Sequence, residues 1–237
     1  MTRRRWIADE VSGNRAALTG EHAHHLSQVL RARVGQECDI STGRDVRLGR
    51  ISVILPDRVE FDLGEIIRHA ADFPIGVAIS IFKFDRMEWA IEKCTELGVS
   101  RIIPIIAGRT ESHLARAAAK RVDRWKRIAQ QASEQSRRVS PPEIADPIKF
   151  QELLAMTSDT RIVLAETEDL LMLKDAIPQS ANSLLLAFGP EGGWKKAELA
   201  AFHDRGWTSA SLGHAILRAE TGVIAAVAVA ISVFPVK

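Results

Sequence analysis

Leu184-Leu185-Leu186-Ala187-Phe188-Gly189-Pro190-Glu191-Gly192-Gly193-Trp194 is an apolar strand that runs straight into a turn of Gly, Pro and Glu. Further on, Ser211-Leu212-Gly213-His214-Ala215-Ile216-Leu217-Arg218-Ala219-Glu220-Thr221 repeats the plan, a short strand opening into a turn that holds one Arg and one Glu. Backbone-lined loops that follow strands are where open α/β sheets bind ligands. Glycine lets the chain approach a flat ligand closely, and proline fixes the turn. Gly189–Gly193 lacks the Gly-Lys-Ser/Thr ending of a phosphate-binding loop and is not the Gly-x-Gly-x-x-Gly dinucleotide fingerprint. Taken alone, it also suits an ordinary turn between strand and helix.

Upstream, Ile75–Phe82 is a continuous β-branched run. A helix follows over Asp85 to Gly98, with Asp85 as N-cap, Glu88 three residues on, apolar Met87, Ala90, Ile91 and Cys94, and a stop at Gly98. Val99–Ile106 is a strand again, and strand, helix, strand in that order predicts a parallel α/β sheet. Leu114 to Arg138 reads as one long amphipathic helix with the seam Leu114, Ala118, Val122, Trp125, Ala129 and Ala132, ending before Pro141-Pro142. Strands are expected at Arg161–Ala165, Ser183–Phe188 and Thr208–Leu212, and helices at about Lys195–Arg205 and Glu220–Phe234. Before Arg68 the pattern differs. Glu37–Ser41, Val46–Ile54 and Arg58–Leu63 are short β-type runs punctuated by glycine and proline, which read as a small β-barrel-like domain with one helix at about Gly20 to Arg33. The predicted division is therefore residues 1–70 and 75–237.

Further segments make the pattern specific. Lys83-Phe84-Asp85-Arg86-Met87-Glu88-Trp89 with Glu92-Lys93-Cys94-Thr95-Glu96-Leu97-Gly98-Val99, Arg109-Thr110, Glu134-Gln135-Ser136-Arg137-Arg138 and the N-terminal His25-Leu26 with Val29-Leu30-Arg31-Ala32-Arg33-Val34-Gly35 are all present in the chain. Together with the two loops they resemble the SPOUT superfamily of trefoil-knotted RNA methyltransferases. Within it they resemble the family that methylates uridine N3 in bacterial small-subunit ribosomal RNA. The resemblance covers nearly the whole chain.

The resemblance implies a knotted α/β methyltransferase domain behind a PUA-like RNA-binding domain. It implies S-adenosyl-L-methionine held in a bent shape by three loops: Leu164, Ala165 and Glu166 with Thr167; Phe188, Gly189, Glu191, Gly192 and Gly193; and Leu212, Gly213, Ile216, Leu217 and Arg218. It also implies a homodimer with shared active sites, and 16S ribosomal RNA or the assembled small ribosomal subunit as partner. The chain departs from the family at Ala215, where an Arg is usual, and at Gly222, where another small residue is usual. Arg218 and Glu220 are retained.

Methylation at N3 requires removal of an imide proton and stabilisation of negative charge on the flanking carbonyl oxygens. Arg218 can supply the positive charge, and Glu220 or Glu191 can act as base, directly or through water. Either carboxylate also suits a helix N-terminal cap, the role favoured for Glu220, which begins the last helix. Expected RNA contacts are Arg3, Arg4, Arg5, His25, Arg31 and Arg33, with Arg109, Arg137 and Arg138.

Bulk composition is compatible. The 237 residues carry 46% hydrophobic and 26% charged side chains and a net charge of only +2, so local basic patches matter more than the total. Cys38 and Cys94 have no metal-ligand spacing, and the histidines at 22, 24 and 25 lack neighbouring ligands, so neither a metal site nor a disulfide framework is expected. A reducing cytoplasm suits that cysteine use. The apolar run from Val223 to Phe234 is too short to span a bilayer, and the N-terminal arginines precede no apolar stretch of a signal peptide. Two rival readings remain: an RNA-binding or assembly module that has lost catalysis, and a knotted ribose 2′-O methyltransferase.

Overall fold

A computed structural model of the protein describes residues 5–69 and 74–233. The chain divides into two compact units, residues 1–71 with 133–140, and residues 72–132 with 141–237. Arg3, Arg4 and Phe234 lie outside the described residues.

In the first unit, β1 (Arg5–Ile7), β2 (Glu10–Ser12), β3 (Arg15–Thr19), β4 (Glu37–Ser41), β5 (Asp45–Ile54) and β6 (Arg58–His69) form one sheet in the order β1-β4-β5-β6-β3-β2. It is antiparallel except where β1 meets β4. The first three strands are short and are additions to the sequence-based expectation. Helix α1 (Gly20–His24) passes into a π-helical turn over His25–Val29. The helix expected to reach Arg33 therefore ends earlier, and Arg31 adopts a left-handed backbone (φ 50°). Trp6, Leu18, Leu26, Ile40, Ile51, Val59 and Phe61 fill the core.

The second unit holds β7 (Ile75–Ser80), α2 (Phe84–Glu96), β8 (Arg101–Ile106), α3 (Ser112–Ala117), α4 (Val122–Gln135), β9 (Glu143–Ile144), β10 (Ile148–Lys149), α5 (Phe150–Leu154), β11 (Thr160–Leu164), α6 (Leu173–Ala176), β12 (Leu184–Phe188), α7 (Lys196–Asp204), β13 (Thr208–Ala210) and α8 (Ala219–Val233). Its sheet runs β10-β8-β7-β12-β11-β13, with β9 beside β8, and every pairing is parallel. The unbroken apolar runs have a simple cause, because a parallel sheet is covered on both faces. Leu184, Leu186 and Phe188 join Ile75, Val77 and Ile79 on one side. Leu185 and Ala187 join Ala78, Ile103 and Ile105 on the other, the period-two alternation of a strand.

Helix α2 ends as the sequence predicts. Gly98 takes φ 95°, its N–H bonds the Thr95 carbonyl at 3.0 Å, and the Val99 N–H bonds the Cys94 carbonyl at 3.1 Å. Its start differs: Lys83 is the N-cap, and Asp85 lies within the first turn. Glu88 instead takes two hydrogen bonds from Arg124, at 2.6 and 2.8 Å, tying α2 to α4. The single helix expected from Leu114 to Arg138 is broken by a 3-10 turn over Ala118–Arg121 and stops at Gln135, although its whole seam is buried. Trp125 is fully buried, its ring 6.1 Å from Phe84, which makes it a core residue. Cys38 and Cys94 are buried free thiols, and burial pushes Cys94 up to about 12, so it is unreactive at neutral pH.

Segment 133–140 is held to the first unit by polar contacts. Arg5 donates to the Arg137 carbonyl, the Ser41 hydroxyl donates to the Val139 carbonyl, and His22 sits between Asp9 (3.1 Å) and Glu134 (3.3 Å). The hydrogen bond to Asp9, with the charge of Glu134, outweighs burial and raises His22 above its ordinary value. Asp9 is half-buried, which opposes its charge, yet His22 and the Thr19 N–H hold it low. The His22 contribution is complete below its unfolded value of about 6.5 and is lost as pH rises through the higher folded value. His22→Gln should cost about 1 kcal/mol at pH 6 and less at pH 8.5, measured by denaturant unfolding. An equal loss at both pH values would show that the imidazolium charge is not involved.

Candidate active site

The three ends that matter are level. Leu164 at the end of β11 lies opposite Phe188 of β12 and opposite Ala210 of β13. The chain therefore leaves the sheet three times side by side, at the carboxyl ends of parallel strands. Residues 165–167, 169, 189–194 and 211–219 of the following segments line a cleft of about 330 Å³ to which Arg109 and Gly222 also contribute. Every cofactor-binding residue expected from the sequence lies on this lining.

Local contacts give each loop its shape. Ala165 N–H bonds the Ala210 carbonyl at 3.0 Å, extending the sheet by one bond. In the second loop the Gly193 N–H closes on the Pro190 carbonyl at 2.7 Å, and Gly193 sits in the left-handed region (φ 67°). Gly192 does not, and a Cβ there would meet the Arg109 stem at an ordinary contact distance of 3.4 Å. Backbone strain therefore belongs to Gly193. Trp194 anchors the loop end: its indole N–H reaches the Leu164 carbonyl at 3.1 Å, its ring packs edge-on to Phe202 at 5.0 Å, and it lies where a Gly189 Cβ would meet it at 3.3 Å. The third loop is fixed by Ser211 N–H to the Leu171 carbonyl at 2.9 Å and by Gly213 at φ 110°.

The charged residues divide into braces and free groups. Arg109, expected as an RNA contact, is a brace, donating to the Gly192 carbonyl and at 3.4 Å to the Trp194 carbonyl. Arg86, to which the sequence assigned no role, reaches Glu191 at 2.8 Å and Glu220 at 3.7 Å. Glu220 is 3% exposed and stands second in α8, not at its cap, and it is absent from the cleft lining. Its Oε2 has no hydrogen-bond partner among the described residues. Glu191 does line the cleft. Arg218 is exposed at the rim and makes no ion pair or side-chain hydrogen bond among the described residues. Glu198, which the sequence did not single out, joins two loops by accepting from Gly108 N–H at 2.7 Å and Lys195 N–H at 2.8 Å.

Of the remaining expected RNA contacts, Arg5 is a structural residue, its side chain 10% exposed, 3.9 Å from Asp39 and bonded to the Arg137 carbonyl. Arg31, Arg33 and His25 lie on the surface, His25 with its ring 5.9 Å from Trp6. Arg137 is accessible too, and Arg138 bonds the Ser140 carbonyl at 3.1 Å. Arg31 and Arg137 are the non-glycine residues with positive φ among those described. No cluster of metal-ligating side chains and no helix long and apolar enough to cross a membrane occurs among the described residues.

Residues 69–231 match the family model described as RNA methyltransferase domain. The chain is 33% identical to ribosomal RNA small subunit methyltransferase E of Bacillus subtilis (strain 168) over 219 residues, 86% of this chain and 85% of that protein. It belongs to the methyltransferase E family of RNA methyltransferases. A crystal structure of a family member from Neisseria gonorrhoeae bound to S-adenosyl methionine superposes with a TM-score of 0.86 at 28% identity, covering 98% of each chain. A probable rRNA-methyltransferase from Porphyromonas gingivalis gives 0.81 at 25% identity, covering 95% of each chain.

The departure at Gly222 is sterically neutral in this fold. Gly222 faces open space, with nothing within 4 Å of an added Cβ, so a larger residue fits there. Gly222→Ala should stabilise the fold by about 0.5–1 kcal/mol, because glycine inside a helix costs that much. Gly193→Ala should destabilise by about 1–2 kcal/mol through its left-handed backbone. Thermal unfolding of both variants checks the pair, and a destabilising Gly222→Ala or a neutral Gly193→Ala would contradict the loop geometry.

Proposed function

We propose that this protein is an S-adenosyl-L-methionine-dependent methyltransferase that modifies N3 of a uridine in 16S ribosomal RNA. The observation that carries the reading is the cleft itself: three level loops, lined by backbone and by apolar Leu164, Phe188, Leu212 and Leu217, with Arg218 unpaired at the rim. That lining suits the cofactor. Its apolar wall matches a flat adenosine, and Glu166 and Asp169 offer negative charge to the ammonium of a zwitterionic methionine tail. When bound, the cofactor supplies a methyl group already activated by its sulfonium. The full-length likeness to methyltransferase E proteins supports small-subunit ribosomal RNA as substrate.

The chain's own groups then have defined tasks. The imide proton must leave and charge must be absorbed at the carbonyl oxygens beside N3. Arg218, the arginine of its loop now that Ala215 offers no cation, is assigned to that charge. Glu191 is the better placed of the two carboxylates to accept the proton, since it lines the cleft and Glu220 does not. The first unit, read as PUA-like, positions RNA through Arg31, Arg33 and Arg137. Holding arginine in the left-handed region costs about 1–2 kcal/mol per residue, which supports a function for Arg31 and Arg137. The loops are read as the trefoil knot of the SPOUT superfamily, and the enzyme as a cytoplasmic homodimer. Leu170 and Ile216, 96% and 88% exposed, support a second copy covering this end of the catalytic unit.

An N3 methyl blocks the Watson–Crick edge of uracil, whereas a ribose methyl leaves it free. Reverse transcriptase should therefore stop beside one uridine of 16S RNA treated with the protein and cofactor. Arg218→Ala should lower turnover by about a hundredfold while weakening cofactor binding far less, because the interaction strengthens during reaction. Label incorporated into ribose without a stop would replace this reading by 2′-O methylation, and cofactor binding without any transfer would favour the assembly module.

A further inference from the structure

We propose that Arg86 is a positioning residue of the methyltransferase site, a cation that joins its second and third loops and sets their spacing. The inference rests on the function proposed above. Arg86 stands in the first turn of α2, a rigid support fastened to α4 through Glu88 and Arg124. From there its guanidinium reaches two carboxylates that are far apart in sequence. Nη1 donates to Glu191 Oε1 at 2.8 Å, and Nε lies 3.7 Å from Glu220 Oε1. Glu191 is the apex of the Gly-Pro-Glu-Gly-Gly loop, and Glu220 follows the loop that ends at Arg218.

The two contacts differ in kind. Arg86 and Glu191 are each about one-third exposed, so this bond is exchangeable and restrains a loop that glycine would otherwise leave floppy. Glu220 is 4% exposed at its side chain, and Arg86 is the cation within ion-pair distance of it among the described residues. A buried carboxylate without a countercharge is costly, so Arg86 makes its presence beside the cleft possible. One guanidinium thus neutralises the carboxylate at the root of α8 and holds the apex of the opposite loop. Arg109 braces that same loop from the Gly192 side. With Arg86 removed, the loop keeps its ties at Gly192 and Trp194 but loses the one at its apex, and a charge is left uncompensated two residues after Arg218.

Only arginine offers several planar donors that can serve two carboxylates at once; lysine presents a point charge. Full-length wild-type, Arg86→Ala, Arg86→Lys, Glu191→Gln and the Arg86→Ala/Glu191→Gln double variant would be compared by calorimetric titration with S-adenosylhomocysteine, thermal unfolding and RNA methylation kinetics. Arg86→Ala should weaken the titrated affinity by about tenfold or more, the loss typical of a charge-assisted hydrogen bond, and Arg86→Lys should recover only part of it. The double variant should bind about as Arg86→Ala does, because the two residues act through one bond. Should Arg86→Ala fail to fold, Arg86→Lys and Glu191→Gln carry the test. A folded Arg86→Ala or Arg86→Lys with wild-type affinity and turnover would overturn the proposal, as would additive losses of S-adenosylhomocysteine affinity in the double variant. Wild-type protein that binds neither S-adenosylhomocysteine nor S-adenosyl-L-methionine would overturn the functional reading on which it rests. Wild-type binding with unaffected variants overturns Arg86 alone.

Discussion

The register of β11 between β12 and β13 is the constraint on which the site depends. Leu164 is paired with Phe188 on one side and Ala210 on the other, so three segments distant in sequence leave the sheet at one height. Parallel pairing alone would not secure this, since a slip of one residue leaves the ladder intact. What forbids the slip is burial on both faces. Moving β12 by one residue would put Leu185 and Ala187 in place of Leu186 and Phe188 on the side shared with Val77, Ile79 and the buried residues of α8. The two cores therefore specify the cleft before any polar residue is considered.

Above that platform the second loop has three glycines among residues 189–193, too many to hold itself, and side chains of the catalytic unit brace it. Trp194 pins the second loop to the end of β11, Arg109 ties its far side, and Arg86 joins its apex to the root of α8. Arg218 is left out of this bracing. The division is chemically sensible, because a cation already satisfied by protein carbonyls or carboxylates contributes little to a charge that develops during reaction, whereas an unpaired one at the rim is available to it.

Much of the second unit is legible in the sequence because its signals are local. β7 and β12 announce themselves as unbroken apolar runs, Gly98 as a helix stop, and Leu114 to Ala132 as a seam that survives even where the helix tightens into a 3-10 turn. The loops are legible for the same reason. What fails is whatever depends on distant partners. β1, β2 and β3 are three to five residues long, and β2 is wholly exposed, so no alternation marks them. Arg5 and Arg109 look like phosphate contacts because a basic residue in sequence carries no sign of the carbonyl that will claim it. Arg86 and Glu191 are 105 residues apart, and nothing short of the fold brings them together. The same holds for residues 133–140, which continue a helix in sequence yet cluster with the first unit.

Hydrogen–deuterium exchange with and without S-adenosyl-L-methionine tests the central claim most directly, because it reports which backbone the cofactor orders. The account predicts slowed exchange in 165–169, 189–194 and 211–219, with β4, β5 and β6 unchanged. Protection spread over the first unit, or absent from any one of the three loops, would contradict a cleft built on the level ends of β11, β12 and β13.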